Sequence, residues 1–381
     1  MRILLHTGLS KCAGTFCRSV IFPFLEKKNK IKQISTGDNN NILNLIIDIL
    51  DEKVALTENL LKDIQNKILE ESKINQDIVI SSGVMSSHQI NTFDINKDFL
   101  RRSMILKKII PEAKIIFVVR EQFSLIVSQY KSLIQQRYIQ DLNEFILTKN
   151  EIDKIKNNDH RKGFDPYKRQ SNLPWLNPQG LNYFDFIKIY FDIFGPENCL
   201  IIFAENLQSA EKEEDEIYKL INFIKPNKDE AKLLSQDFYV YSNEKKISSL
   251  RKNQSITDET IKFIFYLEKF FFLLKINIPY SWDNIPTKKK SVFFKLFRYF
   301  LPFRYLTWLK IREILQNKNH LIVKLIKIFF KKRNSNLEDS LKKDIISKKF
   351  NNLEVFYNDS NKKLLKFFDK SDIPINFRLS E

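Results

Sequence analysis

The chain has 381 residues, 43% of them hydrophobic, with 33 phenylalanines and a formal net charge of +17. That composition excludes a disordered polar chain and allows one large core or two smaller ones. Three cysteines, Cys12, Cys17 and Cys199, exclude a disulfide-stapled scaffold and suit a reducing compartment, and no Cys/His cluster has metal-ligand spacing.

Residues 2–6, Arg2-Ile3-Leu4-Leu5-His6, read as a short apolar strand rather than as a charged and then apolar leader, so no signal peptide is expected. A loop over 7–14 follows, then a helix over 15–28. Only seven glycines occur in the whole chain, yet Gly8 and Gly14 bracket Lys11 in this one loop. A strand, a glycine-containing loop with one lysine, and a helix opening on Thr15 form a cradle for a phosphate-type anion. Amides at the helix start point at the anion and the helix dipole favours negative charge there. Ser10, Lys11, Cys12, Ala13, Gly14, Thr15 and Phe16 are the candidate contacts. The order G-x-x-K-x-x-G-T is not the Walker A order, in which lysine follows the second glycine. Cys12 reads as a small loop filler rather than a reactive thiol.

Residues 41–72 read as helical, 77–81 as a strand running into Ser82-Gly83, and 98–109 as a helix. Lys114-Ile115-Ile116-Phe117-Val118-Val119 reads as a parallel strand buried on both faces. Arg120 stands at its C-terminal end, where open α/β sheets bind ligands. A helical segment follows, with Ser128 eight residues after Arg120. An arginine fork and a hydroxyl there suit a second phosphate. Residues 137–180 read as an irregular polar insert, of a type that shapes acceptor sites. Further on come a helix over 181–194 closed by Gly195-Pro196, a strand over 199–203 leading to Glu205, a helix over about 213–224, and a basic polar loop over 241–255. Alternating strands and helices predict an α/β fold with a parallel, doubly wound sheet.

From Ile285 to Arg333 the chain carries ten lysines and four arginines against a single acid, Glu313. Ten aromatic residues are interleaved with them, among them Phe293, Tyr299, Trp308 and Phe329. Basic residues interrupt every apolar run before the roughly 18 residues that a membrane span needs. The pattern suits a segment lying in the plane of an anionic membrane surface. A helical pair packed on the core with a solvated basic face, or a surface for an acidic polymer, would share this pattern. No nucleic-acid recognition motif accompanies it.

Four stretches together resemble the sulfotransferases that use 3′-phosphoadenosine 5′-phosphosulfate, PAPS. The G-x-x-K-x-x-G-T loop resembles their 5′-phosphosulfate loop. Strand, Arg120, Ser128 and Tyr130 resemble their 3′-phosphate site, although Glu121-Gln122 stand where the family has an acid or amide and then proline. Gly195 to Leu207 and Phe356-Tyr357-Asn358-Asp359-Ser360-Asn361-Lys362-Lys363-Leu364 resemble two later stretches. The likeness runs over about 1–280 and resumes over 350–375. It implies a P-loop-like α/β core over 1–284, a basic aromatic helical insertion over 285–345, and a helix over 346–381 returning to the core.

The resemblance implies in-line transfer of a sulfuryl group from PAPS to a hydroxyl, without a metal. Lys11 would stabilise the leaving oxygen and Arg120 with Ser128 would hold the 3′-phosphate. Many bacterial relatives place a glutamate after two serines at the second strand end. Here Ser81-Ser82-Gly83 lacks it, which makes His88 the first candidate base, with Glu205, Asp94 and His160 open; Glu205 reads rather as an anchor of the fold, and His6 as lining the loop. A glycan, glycolipid or lipid-linked saccharide is the expected acceptor, with an anionic membrane surface as the partner of 285–333, no nucleic acid, and a bacterial, cytoplasmic, peripherally membrane-bound location. Two other readings stay open. A small-molecule P-loop kinase would need Walker spacing and an acidic Mg²⁺ ligand, and a basic membrane- or polyanion-binding protein would carry a degenerate nucleotide fold.

Overall fold

The structure is a computed structural model. It describes residues 1–35, 41–71, 76–88, 90, 92, 94–135, 142–158, 174–208, 213–244, 261 and 353–367. The basic stretch over 285–333, His160, and most of the loop over 241–255 lie outside the described residues.

Five strands form one wholly parallel sheet: β1 (Ile3–Gly8), β2 (Ile31–Ser35), β3 (Asp77–Ser81), β4 (Lys114–Val119) and β5 (Cys199–Phe203), in the order β2-β3-β1-β4-β5. The α/β, doubly wound parallel sheet expected from the sequence is therefore present. From β1 the chain goes first to the edge strand β2, returns inward to β3 beside β1, then crosses to β4 on the other side of β1 and continues outward to β5. That reversal places a crevice at the C-terminal ends of β1 and its neighbours, the standard ligand position in such sheets. Leu4, Leu5, Ile78, Val79, Ile80, Ile115, Ile116 and Phe117 are completely buried. Apolar residues at consecutive strand positions mean that both sheet faces are covered.

β1 extends two residues beyond its expected end, to Gly8, because Thr7 and Gly8 pair with Phe117 and Val118. Glycine is required at that point. Gly8 has φ +150°, and a methyl group there would lie 3.2 Å from the Val118 carbonyl oxygen. β2 escaped the sequence reading, since Ile31-Lys32-Gln33-Ile34-Ser35 is a mixed five-residue edge strand with weak alternation.

The helix after the loop is not regular. It runs as Gly14–Phe16, a π turn over Cys17–Ile21, and Phe22–Lys27. Pro23 explains the interruption. It has no N–H to donate to Ser19, and its ring would clash with that carbonyl in an unbroken helix. The ladder widens instead, and Phe22 N–H bonds the Cys17 carbonyl. The helical region expected over 41–72 is two helices, Asn41–Leu50 and Glu58–Glu71. The helix after β3 begins at Ile95, earlier than expected, with Asp94 accepting from Lys97 N–H at 2.9 Å as its cap. The start of the loop expected over 241–255 belongs instead to the helix Lys228–Glu244.

The chain divides into two compact units. The first holds the sheet and the helices Ile95–Ile109, Tyr183–Phe194 and Leu353–Leu365. In it Phe99 stacks on Phe186 with ring centroids 4.1 Å apart. The described part of the second unit is ordered by a short backbone exchange. Leu147 N–H bonds the Leu176 carbonyl at 3.0 Å, and Leu176 N–H bonds the Phe145 carbonyl at 2.7 Å. The insert expected to be irregular thus carries helices at Leu142–Phe145 and Lys149–Asn158, and Trp175 is a fully buried core residue.

Replacing Gly8 with alanine should lower stability by about 1–3 kcal/mol, from backbone strain plus the clash with Val118. A urea midpoint equal to wild type would show that β1 and β4 can separate without cost.

Candidate functional site

The loop between β1 and the first helix is held in an unusual backbone shape. Lys11 has φ 72° and Ala13 φ 51°, both left-handed without being glycine. Such residues cost about 1 kcal/mol or more each and persist where surrounding structure enforces them. The result is a concave turn. Cys12 N–H bonds the Leu9 carbonyl, and Phe16 and Cys17 N–H both bond the Ala13 carbonyl. The amides of Ala13, Gly14 and Thr15 have no acceptor among the described residues. Alternating left- and right-handed residues at a helix start form an anion-binding nest.

Lys11 is half-buried, and no acceptor among the described residues bonds its ammonium. Burial, and then the Arg120 guanidinium, lower its pKa. Arg120 is tied to the loop itself: its Nη1 donates to the Lys11 carbonyl at 3.2 Å and its Nε to Ser124 Oγ at 3.0 Å. Its own carbonyl accepts from the Tyr183 hydroxyl. The structure therefore brings Lys11 and Arg120 together, as the two motifs suggested. Ser124 was not singled out in the sequence, where eight-residue spacing pointed to Ser128. Both serines sit on the helix Gln122–Gln135, one turn apart and on the same face by spacing.

The acids near Arg120 are committed to the backbone. Glu121 caps the helix that follows it, accepting from Phe123 N–H at 3.1 Å and Ser124 N–H at 2.7 Å. Glu205 accepts from Glu121 N–H at 2.9 Å. This is the anchoring role read from its position, joining the ends of β4 and β5, and burial raises its pKa. The departure from the family pattern at Glu121-Gln122 also has a structural use. Gln122 exchanges two side-chain hydrogen bonds with Asn361, at 2.8 and 3.2 Å. Ser360 Oγ donates to Asn182 at 2.6 Å and accepts from Phe184 N–H, while Tyr357 packs edge-on against Phe123. Tyr357, Ser360 and Asn361 of that late stretch thus pack the helix Leu353–Leu365 onto the core.

His6 is buried at the C-terminal half of β1. Its Nδ1 lies 2.6 Å from Ser81 Oγ, and its ring meets Phe22 edge-on. Burial, reinforced by Arg18, pushes its pKa down to about 3, so it is neutral at ordinary pH. The segment after β3 is pinned in turn. Ser86 Oγ accepts from Gly8 N–H at 2.9 Å and bonds Thr7 Oγ1, and the buried Arg102 donates to the Val84 carbonyl at 3.0 Å.

His88 lies at the end of that segment with an exposed side chain. Its Nε2 is 2.9 Å from Asp51 Oδ1, and its carbonyl accepts from Thr92. Arg102 also holds Asp51, at 2.8 Å, and these two partners keep the Asp51 carboxyl below the usual range against its own burial. Of the cysteines, Cys12 and Cys17 are buried and Cys199 is half-buried. Burial pushes Cys17 and Cys199 to about 12 and raises Cys12 further. None is a nucleophile at neutral pH, as the loop-filler reading of Cys12 requires. Ser10 and Thr15 are exposed at the loop surface, and Phe16 is half-buried.

No family model matches the chain, and no curated protein matches it. Among solved structures it is similar to a sulfotransferase from Alicyclobacillus acidocaldarius, at 15% identity and a TM-score of 0.38, over 59% of this chain and 81% of that one. No helix among the described residues is long and apolar enough to cross a membrane.

His6 titrates only in the unfolded chain near pH 6.5, so the folded state loses stability as pH falls from 6.5 toward 3. Each pH unit in that window costs up to about 1.4 kcal/mol. Wild type should therefore lose about 2 kcal/mol between pH 7 and pH 5 through this group. A His6→Gln variant should show a shallower decline in urea unfolding; equal slopes would mean that His6 can charge in place.

Proposed function

We propose that this protein is a PAPS-dependent sulfotransferase, moving a sulfuryl group to a hydroxyl of a glycan or glycolipid. The observation that supports this most is the bond from Arg120 to the Lys11 carbonyl. It sets a strand-end guanidinium beside a loop whose ammonium and three amides have no partner among the described residues. Two neighbouring cationic places suit a nucleotide with separate 5′ and 3′ anions. The acids at hand, Glu121 and Glu205, accept from backbone amides rather than from Lys11 or Arg120, which leaves the donors of those two cations available to a ligand.

In this reading the Ala13, Gly14 and Thr15 amides and Lys11 bind the 5′ end of the donor. Lys11 neutralises the charge that grows on the oxygen bridging sulfur and phosphorus as that bond breaks. Arg120, braced by Ser124, binds the 3′-phosphate, with Ser128 as the hydroxyl implied by the family spacing. These contacts fix the donor in line with the incoming oxygen. The acceptor hydroxyl forms the new bond to sulfur and gives its proton to a base. His88 is proposed for that step, its ring oriented by Asp51 through Nε2 so that Nδ1 can accept. The glycan or glycolipid acceptor, and the anionic membrane surface for 285–333, rest on the basic and aromatic composition of that segment.

Calorimetry with 3′-phosphoadenosine 5′-phosphate should give micromolar affinity, selective over ATP. Lys11→Ala and Arg120→Ala should each weaken it by about 10- to 100-fold, the worth of a charge-assisted contact. Absence of binding, or equal affinity for ATP, would overturn the assignment. For the base, His88→Gln should leave nucleotide affinity unchanged and lower turnover by about 10²- to 10⁴-fold. Full turnover in that variant would remove His88 from the chemistry while leaving the donor site intact.

A further inference from the structure

Gly14 has an ordinary backbone, so no torsion requires glycine there. What a side chain would meet there is a close neighbour. A methyl group at Gly14 would sit 3.1 Å from Nη1 of Arg18 and 3.7 Å from Cε1 of His6. Arg18 is one turn further along the same helical stretch, and its side chain folds back so that the guanidinium lies on Gly14. It is thereby delivered to the turn whose amides have no acceptor among the described residues.

The guanidinium is half-buried, and its pKa is lowered mainly by burial. Among the described residues no carboxylate pairs with it and no oxygen accepts from it. Its ring neighbour His6 is neutral and supplies no counter-charge. A partly desolvated cation without an anion costs free energy in the unliganded protein. Where such a cation is retained beside an anion nest, a bound anion is what offsets the cost. Arginine also differs from Lys11 in presenting a planar fork, which suits two oxygens of one tetrahedral anion.

We infer that Arg18 is a further contact for the donor's 5′-phosphate, its guanidinium binding that group's oxygens from the Gly14 side while Lys11 binds from the loop. This rests on the donor proposed above. Arg18 would then set specificity for nucleotides charged at the 5′ position, and Gly14 is glycine in order to seat it.

The test compares 3′-phosphoadenosine 5′-phosphate with adenosine 3′-monophosphate, which lacks the 5′ anion, on wild type, Arg18→Gln and Arg18→Lys. In Arg18→Gln the bisphosphate should bind at least about 10-fold more weakly while the monophosphate is unaffected; Arg18→Lys should recover part of the loss. Without ligand, Arg18→Gln should melt no lower than wild type, whereas a merely structural arginine would lower the melting temperature. Unchanged bisphosphate affinity in Arg18→Gln would overturn the Arg18 contact and leave the donor reading standing. If wild type binds neither nucleotide, the donor reading fails, and melting with inorganic pyrophosphate then decides Arg18. Stabilisation of wild type but not of Arg18→Gln would uphold an anion contact, and equal shifts, or none, would overturn it.

Discussion

Everything in the candidate site depends on how closely β1 and β4 approach each other. They pair through Gly8 and Val118, at a separation where a side chain on Gly8 would be strained and would crowd the Val118 carbonyl. That pairing fixes the end of β4 against the beginning of the loop. Arg120, one residue past β4, then reaches the Lys11 carbonyl without spanning open space. The left-handed residues Lys11 and Ala13 follow from the same constraint. The chain leaves β1 beside β4 and must turn within a few residues to enter its helix, and two strained torsions complete the turn.

Charge is arranged around this turn with a clear division of labour. Carboxylates nearby are spent on structure: Glu121 on the helix start, Glu205 on the link between β4 and β5, and Asp51 and Asp98 on Arg102. Among the described residues, Lys11 and Arg18 at the turn have no such partners. His6 sits between these regimes, neutral through burial, and adds packing without adding charge. Half-buried positive charge without a counter-ion lowers stability, and an anion bound at the turn would offset that cost.

Much of this was legible in the sequence because it follows from local patterns. The strands 77–81, 114–119 and 199–203 are marked by unbroken apolar runs, and the loop by glycine and lysine spacing. β2 was not, since a five-residue edge strand with three polar members carries too little periodicity. The π turn has its signal in Pro23, but helical spacing over 15–28 does not itself say how the chain accommodates the missing N–H. Ser124 and Arg18 were hidden for another reason. Their importance lies in which way a side chain folds, over Arg120 in one case and over Gly14 in the other, and spacing along a chain does not encode that. Trp175 shows the reverse error, an aromatic in a polar insert that turned out to be core.

The pairing of Gln122 with Asn361 joins residues 239 positions apart. On a ribosome, the sheet strands of the first 120 residues emerge long before the helix Leu353–Leu365 exists. The stretch carrying Arg120 must therefore wait, with Gln122 and Phe123 uncovered, until synthesis has passed residue 361. During that interval an amide and an aromatic ring lack the helix that covers them, so this end of the sheet is completed only when the chain is nearly whole.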